Sequence, residues 1–159
     1  MLLPKTITTP RLVLAPLESE VAHSVLDADT SLIVKAAGWP HDDTLDAIGM
    51  ATVIGGSSLV WLVTLDGVVI GDCGSVGGID ARGTIEIGYG VAAEHRGRGF
   101  GNELVAALSY WLLAQAQVDE VVARDVRAEN VASRRALENA GFDLEREQDG
   151  LTWYTRRRP

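Results

Sequence analysis

Ile85-Glu-Ile-Gly-Tyr-Gly-Val-Ala-Ala-Glu-His-Arg-Gly-Arg-Gly-Phe-Gly101 is the stretch on which the reading of this chain turns. Its first part alternates. Ile85, Ile87 and Tyr89 fall on one face of a strand, and Glu86, Gly88 and Gly90 on the other. A strand from Thr84 to Val91 is therefore predicted. Its end, Arg96 to Gly101, holds three glycines in six residues, so backbone N–H groups can turn inward without Cβ obstruction. A helix from Gly99 to Ala116 follows, with Leu104, Val105, Leu108, Trp111 and Leu112 on its apolar stripe. A helix N-terminus presents unpaired N–H groups and partial positive charge. Strand, loop and helix together make an anion cradle suited to phosphate or pyrophosphate, and Arg96 and Arg98 add charge. The dinucleotide fingerprint G-x-G-x-x-G needs one more residue between its last glycines than Gly99 and Gly101 leave, and no Gly-Lys-Ser/Thr follows. A plain glycine-rich turn is the competing reading.

Outward from the loop, Arg11 to Leu17 reads as a short strand, and Glu18 to Asp29 as a helix carrying Val21, Val25 and Leu26. Gly38-Trp39-Pro40-His41 is a turn. Asp42 or Asp43 then caps a second helix with Leu45, Ile48 and Ala51 on one face, ended by Gly55-Gly56. Strands Leu59 to Leu65 and Val68 to Val76 form a hairpin about Asp66-Gly67. After the loop helix come a strand, Val118 to Val126, and a helix, Asn130 to Ala140, closed by Gly141. Strands Phe142 to Arg146 and Leu151 to Arg156 turn at Asp149-Gly150. The order β-α-α-β-β-β-α-β-α-β-β predicts a single α+β domain over residues 1–159. A mixed, twisted central sheet is flanked by about four helices, with a parallel crossover between Thr84 and Val126.

At 159 residues a chain buries about 70% of its unfolded surface, enough for a core without staples. The single cysteine, Cys73, excludes an internal disulfide and fits a reducing compartment. No run of about 18 apolar residues suggests a membrane span, and Met1 to Pro10 lacks the pattern of a signal peptide. A soluble cytoplasmic protein is expected. The formal charge of −8 opposes duplex binding, which asks for a basic face. The basic cluster Arg156-Arg157-Arg158 reads as a solvated tail. An acidic surface suits a cationic substrate such as an amine.

Ile85 to Gly101, together with Asn130-Val-Ala-Ser-Arg-Arg-Ala-Leu-Glu-Asn-Ala-Gly-Phe142, resembles the GNAT N-acetyltransferase superfamily. Arg96, Gly99 and Gly101 match that family's Gln/Arg-x-x-Gly-x-Gly/Ala loop. Asn130, Gly141 and Phe142 match the bounds of its following helix. The opening Thr-Pro-Arg-Leu-Val-Leu is similar to the branch that acetylates ribosomal-protein N-termini. The resemblance implies acetyl-CoA as acyl donor, an amine acceptor and direct transfer in a ternary complex; no metal is expected, since the three histidines and one cysteine lack ligand spacing. It implies that Val91 offers backbone bonds to the pantetheine arm. The N–H groups of Gly97, Arg98, Gly99, Phe100 and Gly101 would bind pyrophosphate beside Arg96, and Asn130 would bond the pantetheine or cap its helix. Many members carry a tyrosine as proton donor to the CoA thiolate where this chain has Leu137. The N-terminal branch tends to have a serine where Ser133 stands, so Ser133 is the candidate thiolate partner, against an ordinary helix hydroxyl.

Glu86 is the candidate base. It sits beside two side-chain-free positions, which leave room for a ligand, and its competing reading is an ion pair or a solvent-facing carboxylate. Trp39, His41 and Tyr89 are candidates for the acceptor side, with simple packing the alternative for Trp39 and mere exposure for His41. Cys73 reads as a small buried residue, and the three histidines and one cysteine have no metal-ligand spacing. Two other classes remain open: a GNAT-fold module that binds acyl-CoA without turnover, and a plain nucleotide-binding protein. Antibiotics and polyamines are alternative acceptors. A homodimer is compatible with all of these.

Overall fold

A computed structural model of the chain describes residues 2–53 and 56–159. Among these residues eight strands form one sheet: β1 (Ile7–Thr8), β2 (Val13–Pro16), β3 (Val60–Leu65), β4 (Val68–Val76), β5 (Thr84–Val91), β6 (Glu120–Arg127), β7 (Asp143–Gln148) and β8 (Leu151–Arg157). Four α-helices among the described residues accompany them: α1 (Ser19–Leu26), α2 (Asp42–Thr52), α3 (Phe100–Leu113) and α4 (Val131–Asn139). The sheet order is β1-β2-β3-β4-β5-β6-β8-β7. Among the described strands only β5 and β6 pair in parallel. That is the pairing a strand-helix-strand crossover requires.

The predicted α+β order is present, with one addition. The two-residue β1 pairs with Leu14 and Val13 at the sheet edge; so short a segment carries no periodicity to detect. Both Asp-Gly turns adopt positive φ at each residue, 50° and 80° at Asp66-Gly67 and 54° and 76° at Asp149-Gly150. That is the hairpin geometry which matches strand twist. Gly141, at φ 88°, follows α4 as expected. At the start of α2 the N-cap is His41, not Asp42 or Asp43, which are the first helical residues. The helix ends at Thr52, before the expected Gly55-Gly56; Gly55 lies outside the described residues. The basic cluster is not a solvated tail. Arg156 and Arg157 belong to β8, Arg156 donates to the buried Ser109 hydroxyl at 2.6 Å, and Arg157 pairs with Glu120 and Glu145.

Alternation along β4 and β5 sorts the helices between faces. Trp61, Cys73 and Tyr89 lie in register across β3, β4 and β5. Their face meets α3, where Trp61 and Trp111 pack edge-on at 5.4 Å. Leu104, Val105, Leu108 and Leu112 of α3 are fully buried in that core, and α4 packs beside α3. The opposite face carries Asp72, Gly88 and Gly90, and against it lie α2 and the turn before it, through bonds from Thr44 and Trp39 to Asp72.

Candidate active site

The site begins where the sheet opens. The β5–β6 ladder has three pairs, Thr84 with Glu120, Ile85 with Val121 and Glu86 with Val122, and no described pair beyond. A bulge in β6 between Ala123 and Val126, with Asp125 at φ 55°, follows at once. Bulges bend the strand that carries them, and β6 stays registered with β8 while leaving β5. Ile87 to Val91 form one wall of the gap and Ala123 to Arg127 the other. The cleft holds about 1030 Å³, the upper end of the roughly 300–1,000 Å³ usual for small-molecule sites. It has room for an extended ligand and a second reactant.

At one end of the cleft lies the glycine loop. Gly97 and Gly99 take φ of 74° and 80°, a region that costs an L-residue about 1–2 kcal/mol. A Cβ on Gly97 would find nothing within 4 Å, so the cradle is hollow there. Gly99 is the N-cap of α3, and Glu103 is the first residue whose N–H reaches its carbonyl, at 3.2 Å. The N–H groups of Phe100, Gly101 and Asn102 therefore have no helical partner. Phe100 contributes only its backbone, since its ring is buried. Arg96 turns back from the loop and donates from Nε to the Val91 carbonyl at 3.0 Å, fixing the strand end. Arg98 lies over the Phe100 ring at 5.0 Å.

The sequence reading missed Arg11. Its Nη1 donates to the Arg98 carbonyl at 2.8 Å, its Nε to Glu103 Oε1 at 2.8 Å, and its backbone N–H to Glu103 Oε2 at 2.9 Å. Thr9 donates its hydroxyl to the same carboxylate. Burial pushes the Glu103 carboxyl up, but the bonds from Thr9 and Arg11 outweigh it and hold it below the usual range. An unpaired Glu103 in the first turn of α3 would repel an anion at the cradle. Arg11 cancels that charge and clamps the loop.

Deeper in, two hydroxyls meet. Tyr89, expected on the acceptor side, points the other way, toward α4, and its OH is 2.5 Å from Ser133 Oγ. Burial pushes its phenol up to about 12 despite the bond to Ser133. Asn130 caps α4 by accepting the Ser133 N–H at 3.1 Å, which fixes Ser133 at the cleft wall. The two are 44 residues apart in sequence, and only the fold brings them together.

The opposite wall belongs to α2 and β4. Trp39, also expected to line the acceptor side, is 1% exposed. Its indole N–H donates to Asp72 Oδ2 at 2.9 Å, so it supports the wall from behind. Asp72 was not singled out in the sequence, though an aspartate inside the apolar run of β4 was a signal. It accepts the Thr44 hydroxyl at 2.6 Å. Desolvation raises its carboxyl above the usual range against the bonds from Thr44 and Trp39. His41 does line the cleft, with Asp43 and Asp46 of α2 further out. Glu86 sits at the apex where the ladder ends, and its carboxylate is paired with Arg124 at 3.2 Å. Among the described residues no three His, Cys, Asp or Glu side chains gather as metal ligands, and no helix is long and apolar enough to cross a membrane.

The family model of the acetyltransferase (GNAT) domain matches residues 11–143. The uncharacterized N-acetyltransferase YjdG of Bacillus subtilis (strain 168) is 30% identical over 114 residues, 67% of this chain and 67% of that protein. Three solved structures superpose over nearly the whole chain. RimL, a ribosomal L7/L12 alpha-N-protein acetyltransferase in complex with coenzyme A, has a TM-score of 0.70 at 16% identity, covering 96% of this chain and 98% of its own. Mycobacterium smegmatis RimJ in complex with CoA-disulfide has 0.69 at 23%, covering 97% and 88%. An aminoglycoside acetyltransferase in complex with coenzyme A has 0.67 at 21%, covering 92% and 95%. At such identities the superpositions establish a shared fold.

Proposed function

The chain belongs to the acetyltransferase (GNAT) domain family of acetyl-CoA-dependent N-acetyltransferases, and from that premise we propose that its acceptor is an α-amine or a similarly low-pKa small amine, a protein N-terminus being one form. One observation carries the reading. The parting of β5 and β6 after Glu86 and Val122 leaves a cleft with a glycine cradle at one end and Asp43, Asp46 and Asp72 in its lining. An anionic donor and a cationic acceptor are thereby offered partners in one gap.

In this reading the N–H groups from Gly97 to Gly101 hold the donor's pyrophosphate, with Arg98 supplying nearby charge and Arg11 neutralising Glu103. The backbone of Val91 and the side chain of Asn130 guide the pantetheine. A backbone N–H near Val91 polarises the thioester carbonyl. The held amine gains from proximity; its nitrogen bonds to the carbonyl carbon, and the C–S electron pair leaves with sulfur. Ser133, backed by Tyr89, faces that sulfur and offers it a hydrogen bond. Cys73 has no part in this, being buried, with its thiol pushed well up by desolvation. A free, buried thiol also suits the cytoplasmic setting that the sequence suggests.

The preference for an α-amine rests on proton cost. A free α-amine has a pKa of about 7.7–8.0 and lysine about 10.4, a gap worth about 3.4 kcal/mol because only the neutral amine attacks. The resemblance of the opening residues to the N-terminal branch points the same way. A polyamine or aminoglycoside acceptor is the second reading, favoured by Asp43 and Asp46 beside the cleft. The test is mass spectrometry and steady-state kinetics with acetyl-CoA on three acceptors. They are a peptide with only its N-terminus free, the same peptide with only a lysine free, and spermidine. The expected result is the highest kcat/KM on the free N-terminus. A clear preference for the lysine peptide overturns the α-amine reading, and a preference for spermidine selects the second.

A further inference from the structure

Glycine inside a strand gives up stability, because it has more backbone freedom to lose and no side chain to pack. β4 and β5 nevertheless hold Gly71, Gly74, Gly88 and Gly90. Two of these have a steric reason. A Cβ on Gly71 would stand 2.3 Å from the Gly90 carbonyl oxygen, and one on Gly74 1.9 Å from that of Leu59. Gly90 is roofed by a side chain, since its Cβ would rest 3.7 Å from Nδ1 of the His41 ring. Gly88 differs from all three. Its φ is not positive. Among the described residues beyond its chain neighbours, a Cβ built on it meets one atom within 4 Å, Val76 Cγ2 at 3.8 Å, which is an ordinary contact. Neither backbone conformation nor packing asks for glycine here, yet the strand is left bare.

The bare position belongs to the cleft, which Gly88 and Val76 both line. β5 has parted from β6 two residues earlier, at Glu86, and the β4 partner of Gly88 is Gly74. No side chain therefore flanks Gly88 from either neighbouring strand. Along β4, Asp72, Gly74 and Val76 alternate onto this same face. Val76 is an exposed apolar side chain. Asp72 is 8% exposed. Its Oδ2 accepts both the Thr44 hydroxyl and the Trp39 indole N–H, and its Oδ1 has no bond among the described residues. A floor without side chains thus lies between an unpartnered carboxylate oxygen and an exposed valine.

We propose that Gly88 is the specificity-determining position for the acceptor. The space its missing side chain leaves receives the side chain of the acceptor's first residue, and the enzyme selects N-termini whose first residue bears a medium-sized apolar group such as that of valine. This rests on the α-amine reading above. At about 3.3 Å per residue, Gly88 stands roughly 10 Å along the strand from Val91, near which the thioester is polarised in that reading. The attacking nitrogen must lie at the thioester. A group that reaches Gly88 is then the substituent on the carbon bearing that nitrogen. An apolar substituent there covers Val76 and leaves water together with it, which is favourable. An unbranched amine, such as the end of a polyamine, has no substituent to place on this floor.

The experiment measures kcat/KM with acetyl-CoA on peptides that differ only in their first residue, glycine, alanine or valine, with the N-terminus as the single free amine. Wild type, Gly88→Ala and Gly88→Val are compared, and Tm and calorimetric CoA affinity report on the fold. Wild type should favour the valine-first over the glycine-first peptide by at least about tenfold, the discrimination a hydrophobic pocket gives for a methylene or more. Gly88→Val puts that group on the enzyme instead, so the ratio should fall at least about tenfold. Gly88→Ala, whose added atom touches only Val76, should move the ratio partway. Valine is favoured in strands, so Tm should not drop. The ratio compares two substrates on one protein, so partial unfolding of a variant cancels from it. A wild type indifferent to the first residue, or a ratio that both substitutions leave unchanged, overturns the inference while the α-amine reading stands. A wild type that acetylates no peptide N-terminus, or that prefers the lysine peptide or spermidine, overturns that reading and this inference with it.

Discussion

Tyr89→Phe and Ser133→Ala, singly and together, test how the departing thiolate is handled. A thiol's ordinary pKa is about 8.5, whereas burial holds the Tyr89 phenol up at about 12. Full transfer from Tyr89 would run uphill by roughly 3.5 units, about 4.8 kcal/mol at about 1.36 per unit. In the proposed reaction Tyr89 therefore keeps its proton and serves as donor to Ser133 Oγ, 2.5 Å away, which frees the serine hydroxyl to donate to sulfur. A hydrogen bond to a charged group is worth about 1.5–3 kcal/mol and one between neutral groups about 0.5–1.5. Ser133→Ala should then lower kcat by roughly 10- to 150-fold, and Tyr89→Phe by roughly 2- to 12-fold. Because Tyr89 works through Ser133, its loss should add almost nothing in the Ser133→Ala background. Thiol release during steady-state turnover gives kcat, and calorimetry checks that CoA affinity is unchanged. A tyrosine of ordinary pKa would begin to lose its proton near pH 10; raised to about 12, it should leave kcat without an alkaline fall up to that pH. Equal Tyr89→Phe losses in both backgrounds, or a full-rate Ser133→Ala enzyme, would refute the arrangement.

Three further expectations concern the frame around the chemistry. Gly99→Ala forces an L-residue to φ 80° with Arg11 Nη2 only 3.3 Å from its Cβ; thermal unfolding should show about 1–2 kcal/mol of lost stability, and calorimetry a weaker CoA complex. Arg11→Ala leaves Glu103 unpaired beside the anion cradle, so CoA affinity should fall, most at low salt where screening is least, and a loss insensitive to salt would contradict the electrostatic account. Asp72 has a carboxyl raised above its unfolded value by desolvation. The folded state therefore binds more protons, and stability declines as pH rises through the window between the unfolded value and the raised folded one. Asp72→Asn should accordingly raise Tm at pH 8 while matching wild type at pH 3; a lower Tm at pH 8 would show that the ionised carboxylate supports the fold.

What the sequence made legible was local. Asp66-Gly67 and Asp149-Gly150 specify their hairpins by the φ values they tolerate, and Asn130 and Gly141 bound α4 by capping chemistry within a few residues. Alternation along Thr84 to Val91 separated the two faces of β5 correctly, and with them the sides of the cleft. It could not say which helix covers which face. Tyr89 was accordingly assigned to the acceptor, although it stands on the face opposite Gly88 and Gly90; its partner Ser133 lies 44 residues away. Arg11 and Glu103 meet across 92 residues, and Trp39 and Asp72 across 33, distances at which no spacing rule operates. The bulge at Asp125 left no mark in the apolar pattern of β6, yet it separates the strands and so creates the gap. These failures share a cause. A turn or a cap is satisfied by its own neighbours, whereas each polar group of the cleft is satisfied, or deliberately left unsatisfied, by an element from elsewhere in the sheet. His41 is the limiting case: its sequence context is that of an exposed turn residue, and only the assembled wall shows a nitrogen shut away from water with nothing in the protein to bond.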